Sequence, residues 1–81
     1  MGKMADRLVE IYDFIEAYKG KHGYSPSLED ITQALGGPKA VVSHHLETME
    51  HLGMIARPRG LLHSIKLRSR HPDWNALAQE G

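Results

Sequence analysis

The sequence has 81 residues, 41% of them hydrophobic and 25% charged, with ten basic and ten acidic side chains, six histidines and no cysteine. A chain of this length makes one domain with a small core, and its composition excludes a disordered, collagenous or disulfide-stapled protein. No apolar run exceeds three residues, so nothing is predicted to span a membrane or to act as a signal segment, and the expectation is a cytoplasmic protein with little room for an enzyme cleft.

Residues 4–20 are predicted as a helix. Met4, Leu8, Ile11, Ile15 and Tyr18 recur at steps of three and four, Phe14 widens the stripe, and Asp6, Arg7, Glu10, Asp13 and Glu16 fill the opposite face. Gly20 and Gly23 are expected to end it. After the loop Tyr24-Ser25-Pro26, Ser27 has the chemistry of an N-cap, with Asp30 three residues on in a form of the capping box. The helix it opens runs from 28 to 35, with Ile31 and Leu35 inward, and Gly36-Gly37-Pro38 breaks it.

A third helix begins at Pro38 or Lys39, where proline suits a first turn. Val42, His45 or Leu46, and Met49 keep helical spacing, Leu52 lies near its end and Gly53 stops it. The period then changes. Ile55, and later Ile65 and Leu67, alternate with polar residues as in half-buried strands, with Arg57-Pro58-Arg59-Gly60 between them as turn chemistry. The tail from His71 is expected to hold one more short helix reaching Glu80, with Trp74 and Leu77 on one face.

The element order is helix, short helix, tight turn, helix, hairpin. That predicts a mainly α fold with a small antiparallel hairpin: a winged helix-turn-helix, in which a three-helix bundle needs the wing to cover its open side. Residues 1–70 would form this domain and 71–81 a tail.

Charge is balanced in total but not along the chain. Residues 1–35 hold four basic and six acidic side chains, whereas residues 36–72 hold six basic and two acidic ones together with five of the six histidines. Such asymmetry fits either an anionic partner or a solvated face, and charge alone does not choose between them.

Glu10-Ile11-Tyr12-Asp13-Phe14-Ile15, Gly23-Tyr24-Ser25-Pro26-Ser27, Ile31, Leu35-Gly36, His45-Leu46, Gly53-Met54-Ile55 and Ile65-Lys66-Leu67 occur in this order and at near-constant spacing. Together they resemble the N-terminal DNA-binding domain of LexA repressors, over roughly Arg7 to Leu67. The chain departs from that family in two places: its turn at Gly36-Gly37-Pro38 is a residue shorter, and the first turn of its third helix differs, so the resemblance does not by itself imply the LexA operator. LexA repressors also carry a self-cleaving C-terminal domain with a Ser–Lys pair, which this sequence does not include, and no proteolysis is expected of it.

The resemblance implies sequence-specific binding of double-stranded DNA by a transcriptional regulator, with the third helix in the major groove. Lys39, Ala40, Val41, Ser43 and His44 would then face base edges. Lys39 can donate to guanine, Ser43 can donate or accept, His44 can donate to guanine or phosphate, and Ala40 and Val41 suit a thymine methyl. Ser25 and Ser27, at the start of the second helix, are candidates for a phosphate contact. Arg57, Arg59 and His63 lie on the expected wing, where they would meet the backbone or minor groove. A small module reads few base pairs, which implies a homodimer using the Trp74/Leu77 tail or the first helix. A winged-helix module that docks a protein instead is the competing reading.

Nothing in the sequence calls for a metal, cofactor or small-molecule ligand. His44 and His45 diverge by about 100° on a helix, and His44 and His51 stand about 10 Å apart along it, too far for one zinc ion. No Gly-rich phosphate loop, H-E-x-x-H or G-x-S-x-G motif is present, so no catalytic residues are assigned.

Overall fold

A computed structural model describes residues 3–58 and 64–74, with side chains from residue 5 onward. Helix α1 spans Lys3–His22, α2 Leu28–Leu35 and α3 Lys39–His51, followed by the short strands β1, Ile55–Ala56, and β2, Lys66–Leu67. The strands pair antiparallel, Ile55 opposite Leu67 and Ala56 opposite Lys66. This is the expected winged helix-turn-helix.

The apolar stripes meet in one core. Leu8, Ile11 and Ile15 of α1 close on Ile31 of α2 and on Val42, Leu46 and Met49 of α3. Leu52, Met54, Ile55 and Ile65 cover the side that three helices leave open. Full burial of a side chain of this kind contributes about 1.5–3 kcal/mol, so the two-residue strands are held by their side chains more than by their ladder. Polar contacts fasten the same layer. Lys19 Nζ donates to the Ile65 carbonyl at 3.1 Å, and the Met54 carbonyl accepts from the Arg68 and Ser69 amides.

α1 differs from its predicted extent. It runs through Gly20 to His22, and Gly23, at φ +85°, is where it stops, its N–H donating to the Lys19 carbonyl. A mid-helix glycine costs about 1 kcal/mol. Here Gly20 lies on the exposed side, and Lys19, Lys21 and His22 complement the negative end of the helix dipole. Tyr18 is only half-buried rather than a core residue, because its hydroxyl reaches out to donate to Asp30 Oδ2 at 3.2 Å. Tyr12, outside the predicted stripe, is buried.

α2 and α3 have the predicted bounds. The capping box at Ser27 is complete in both directions. The tail begins against the body: Arg70 makes a two-point ion pair with Asp13 at 2.8 and 3.0 Å, and the Asp73 N–H donates to the Leu52 carbonyl. Trp74 is exposed. Leu77 and the expected helix toward Glu80 lie outside the described residues. No described helix is long and apolar enough to cross a membrane.

Candidate nucleic-acid interface

α3 divides cleanly into two faces. Val42, Leu46 and Met49 are buried, and their regular spacing turns Lys39, Ala40, Val41, His44 and Glu47 outward into solvent, with Ser43 half-buried at the margin. Val41 is 46% exposed although it is among the most apolar residues of the helix, so packing of this chain does not account for it. The first turn contains no acidic residue, and its N-cap, Pro38, offers no side-chain acceptor. The positive end of the helix dipole therefore stands open beside the Lys39 ammonium. Behind it, His44 Nδ1 approaches Glu47 Oε1 only to 3.9 Å, with both side chains exposed.

α3 meets α2 through a joint built from two consecutive glycines. Gly36 lies at φ +85°, ψ 170° and Gly37 at φ +99°, conformations that residues with a Cβ adopt only under strain. The joint is held from outside: Arg7 of α1 donates from Nη2 to the Leu35 carbonyl at 3.3 Å and to the Gly36 carbonyl at 3.0 Å, while Nη1 pairs with Glu10 at 2.9 Å. Sequence reasoning assigned Arg7 to the solvated face of α1. Its targets lie 28 and 29 positions away, beyond the reach of any periodicity; the one available hint was an α2 last turn with no basic residue of its own.

His45 is half-buried. Its Nδ1 is fully buried and has no hydrogen-bond partner among the described residues. Burial first, and then the positive charges of Arg7 and His44, hold its imidazole below the ordinary histidine range.

Both serine hydroxyls are engaged within the chain. Ser25 is 1% exposed and its Oγ accepts the Ile65 N–H at 2.8 Å, so this hydroxyl ties the loop before α2 to the second strand. Ser27 exchanges both of its polar groups with Asp30: its Oγ accepts the Asp30 N–H, and its own N–H donates to Asp30 Oδ2. With Glu29 and Asp30 in the same turn, carboxylates already occupy the positive end of α2, which disfavours a further anion there.

The wing also redistributes its expected contacts. Arg57 turns back to Glu50 at 3.2 Å, both side chains being about two-thirds covered. Arg59 and His63 lie outside the described residues. On the opposite strand, Lys66 and Arg68 are exposed, and their side chains make no hydrogen bond or ion pair among the described residues. Lys66 was not singled out from sequence, where it read as one polar residue between Ile65 and Leu67. Arg70 is taken by Asp13, whose carboxyl the guanidinium holds below the usual carboxylate value. Among the described residues no three His, Asp or Glu side chains converge as metal ligands would.

A family model described as the LexA DNA binding domain matches residues 1–61. A LexA repressor of Koribacter versatilis (strain Ellin345) is 34% identical over 68 residues, covering 83% of this chain and 32% of that protein. One from Roseiflexus sp. (strain RS-1) is 31% identical over 80 residues, covering 98% and 37%. A third, from Exiguobacterium sibiricum, is 40% identical over 58 residues, covering 70% and 28%. The chain thus spans about a third of the length of the curated relatives it matches. The match takes in all three helices and the first strand, the same elements that carry the open face of α3. By this measure the chain belongs to the LexA DNA-binding domain family.

Proposed function

We propose that this chain binds double-stranded DNA sequence-specifically, with α3 in the major groove and the wing against the backbone, and that the protein it represents is a transcriptional repressor acting as a homodimer in the cytoplasm. Residues 1–70 serve as the reading unit and 71–81 as a tail. The observation that carries this reading is the uncovered first half of α3. Its outward residues Lys39, Ala40, Val41 and His44, with Ser43 at their margin, combine donors with small apolar groups at a dipole end left free of carboxylates. That is the chemistry of base edges flanked by phosphates.

Lys66 and Arg68 join Arg59 and His63 as the residues we assign to the sugar–phosphate backbone. Arg57 shapes the root of the wing through Glu50, and Ser25 and Ser27 leave the contact set.

Selection of bound duplexes from a random pool, followed by titration at two salt concentrations, tests this reading. A steep fall of affinity with salt is expected, together with a selected sequence made of two related half-sites. A shallow or absent slope would mean instead that the face of α3 docks a protein. K39A with H44A should relax sequence preference, whereas K66A and R68A should weaken all duplexes alike and each lower the salt slope by about 1.

A further inference from the structure

We infer that Arg7 is a specificity-positioning residue: without touching DNA, its guanidinium fixes the joint between α2 and α3 and so sets where the reading face of α3 lies. This rests on the DNA-binding reading above.

Four features of the joint support it. The last carbonyls of a helix lack intrahelical donors, and α2 supplies no basic side chain to meet them. Two positive-φ glycines follow, the backbone with the widest conformational freedom. Neither has a side chain with which to pack. Pro38, the next residue, makes no side-chain capping bond into α3. Local backbone bonds close each helix at the joint, from the Gly36 N–H to the Thr32 carbonyl and from the Val41 and Val42 N–H groups to the Pro38 carbonyl, but no local side chain fixes the angle between the two helices, and hence the first turn of α3 where Lys39, Ala40 and Val41 stand.

Arg7 supplies the missing restraint from a third element. One guanidinium nitrogen reaches two successive carbonyls, those of Leu35 and Gly36, while another is anchored on Glu10 one turn along α1. A Cβ built on Gly37 would stand 3.9 Å from Nη2, so the guanidinium also lies over the second glycine of the joint. Leu8, the next residue, is buried in the core, which gives the arginine a rigid base. Its planar fork is what permits two carbonyls and a carboxylate to be held together; an ammonium would reach them only as a point charge.

A loosened joint leaves the charges in place but blurs the register of the base contacts. R7M and R7K are therefore compared with the unaltered chain on the selected duplex and on a random one, at several salt concentrations, after circular dichroism and urea titration have established the folded fraction. R7M is expected to keep the salt slope and the affinity for random duplex, and to lose about tenfold in preference for the selected one, the size of a single mismatched base pair. R7K should recover part of that loss, and it carries the comparison should R7M not fold. Two results overturn the inference. A variant that unfolds at lower urea yet discriminates like the unaltered chain would make Arg7 merely stabilising. A salt slope reduced by about one would make it a phosphate ligand. If the unaltered chain itself shows no duplex preference, it is the DNA-binding reading that fails, not the role of Arg7 within it.

Discussion

The two ends of α2 are closed in opposite ways. At its start, Ser27 and Asp30 satisfy each other's backbone donors across three residues, a device written into one short stretch of chain. At its end, the Gly36 N–H closes on the Thr32 carbonyl, and the side chain that meets the free Leu35 and Gly36 carbonyls is Arg7, more than a third of the sequence away and on another helix. A local cap forms with its helix. A remote clasp needs α1 docked against the joint; on the reading proposed above, this couples recognition by α3 to tertiary structure, which a local turn motif would not do.

Ile31 is the one fully buried residue of α2 and lies between the two closures. I31A should cost about 2–5 kcal/mol and, by undocking α2, weaken both ends; equilibrium urea unfolding measures it, and a loss below that range would show that the caps hold the helix without its core contact. G36A attacks the remote end. The residue lies at φ +85°, ψ 170° with open space around it, so the cost is backbone strain alone, about 1–3 kcal/mol. It should lower duplex preference as well as stability.

S27A attacks the local end and should cost about 1 kcal/mol while leaving discrimination between duplexes intact. If it lowered discrimination as G36A does, the contrast between the two ends would vanish. The smallest effect concerns His45, which lies close enough to Arg7 to feel its charge. With its folded-state pKa below the unfolded value of about 6.5, the unfolded chain binds the proton more readily. The stability contributed by neutral His45 is therefore fully present above that value and is lost as the pH falls through the folded one. H45Q should flatten the decline in stability as the pH falls below about 6.5, relative to the unaltered chain. Parallel curves would show that the buried Nδ1 exerts no such penalty.

What could be read from sequence follows the same division. The bounds of α2 and α3, the capping box and the inward positions Val42, Leu46 and Met49 all rest on residues within one or two turns of each other, and each occurs as predicted. Gly20 misled because helix propensity is a weak preference that docking of the Leu8, Ile11 and Ile15 stripe overrides. The partner of Ser25 was hidden for a different reason. A serine in a Gly-Tyr-Ser-Pro-Ser loop has the chemistry of a surface turn, and its actual partner is the Ile65 amide, 40 positions later. Arg57 reads from sequence as a wing cation, and its pairing with Glu50, seven positions earlier, is not visible there. The chemistry of each side chain was legible throughout; which groups had already been satisfied by a distant partner was not.

The bond from the Asp73 amide to the Leu52 carbonyl bears on how the domain can be handled. It brings the chain back to the far end of a 13-residue helix, about 20 Å from Lys39. A dye, surface linker or fused partner joined after Trp74 therefore starts its path at the opposite pole from the turn of α3 that we propose faces the groove. Immobilising the domain by that route should leave duplex capture unimpeded, whereas attachment through Lys39 should block it.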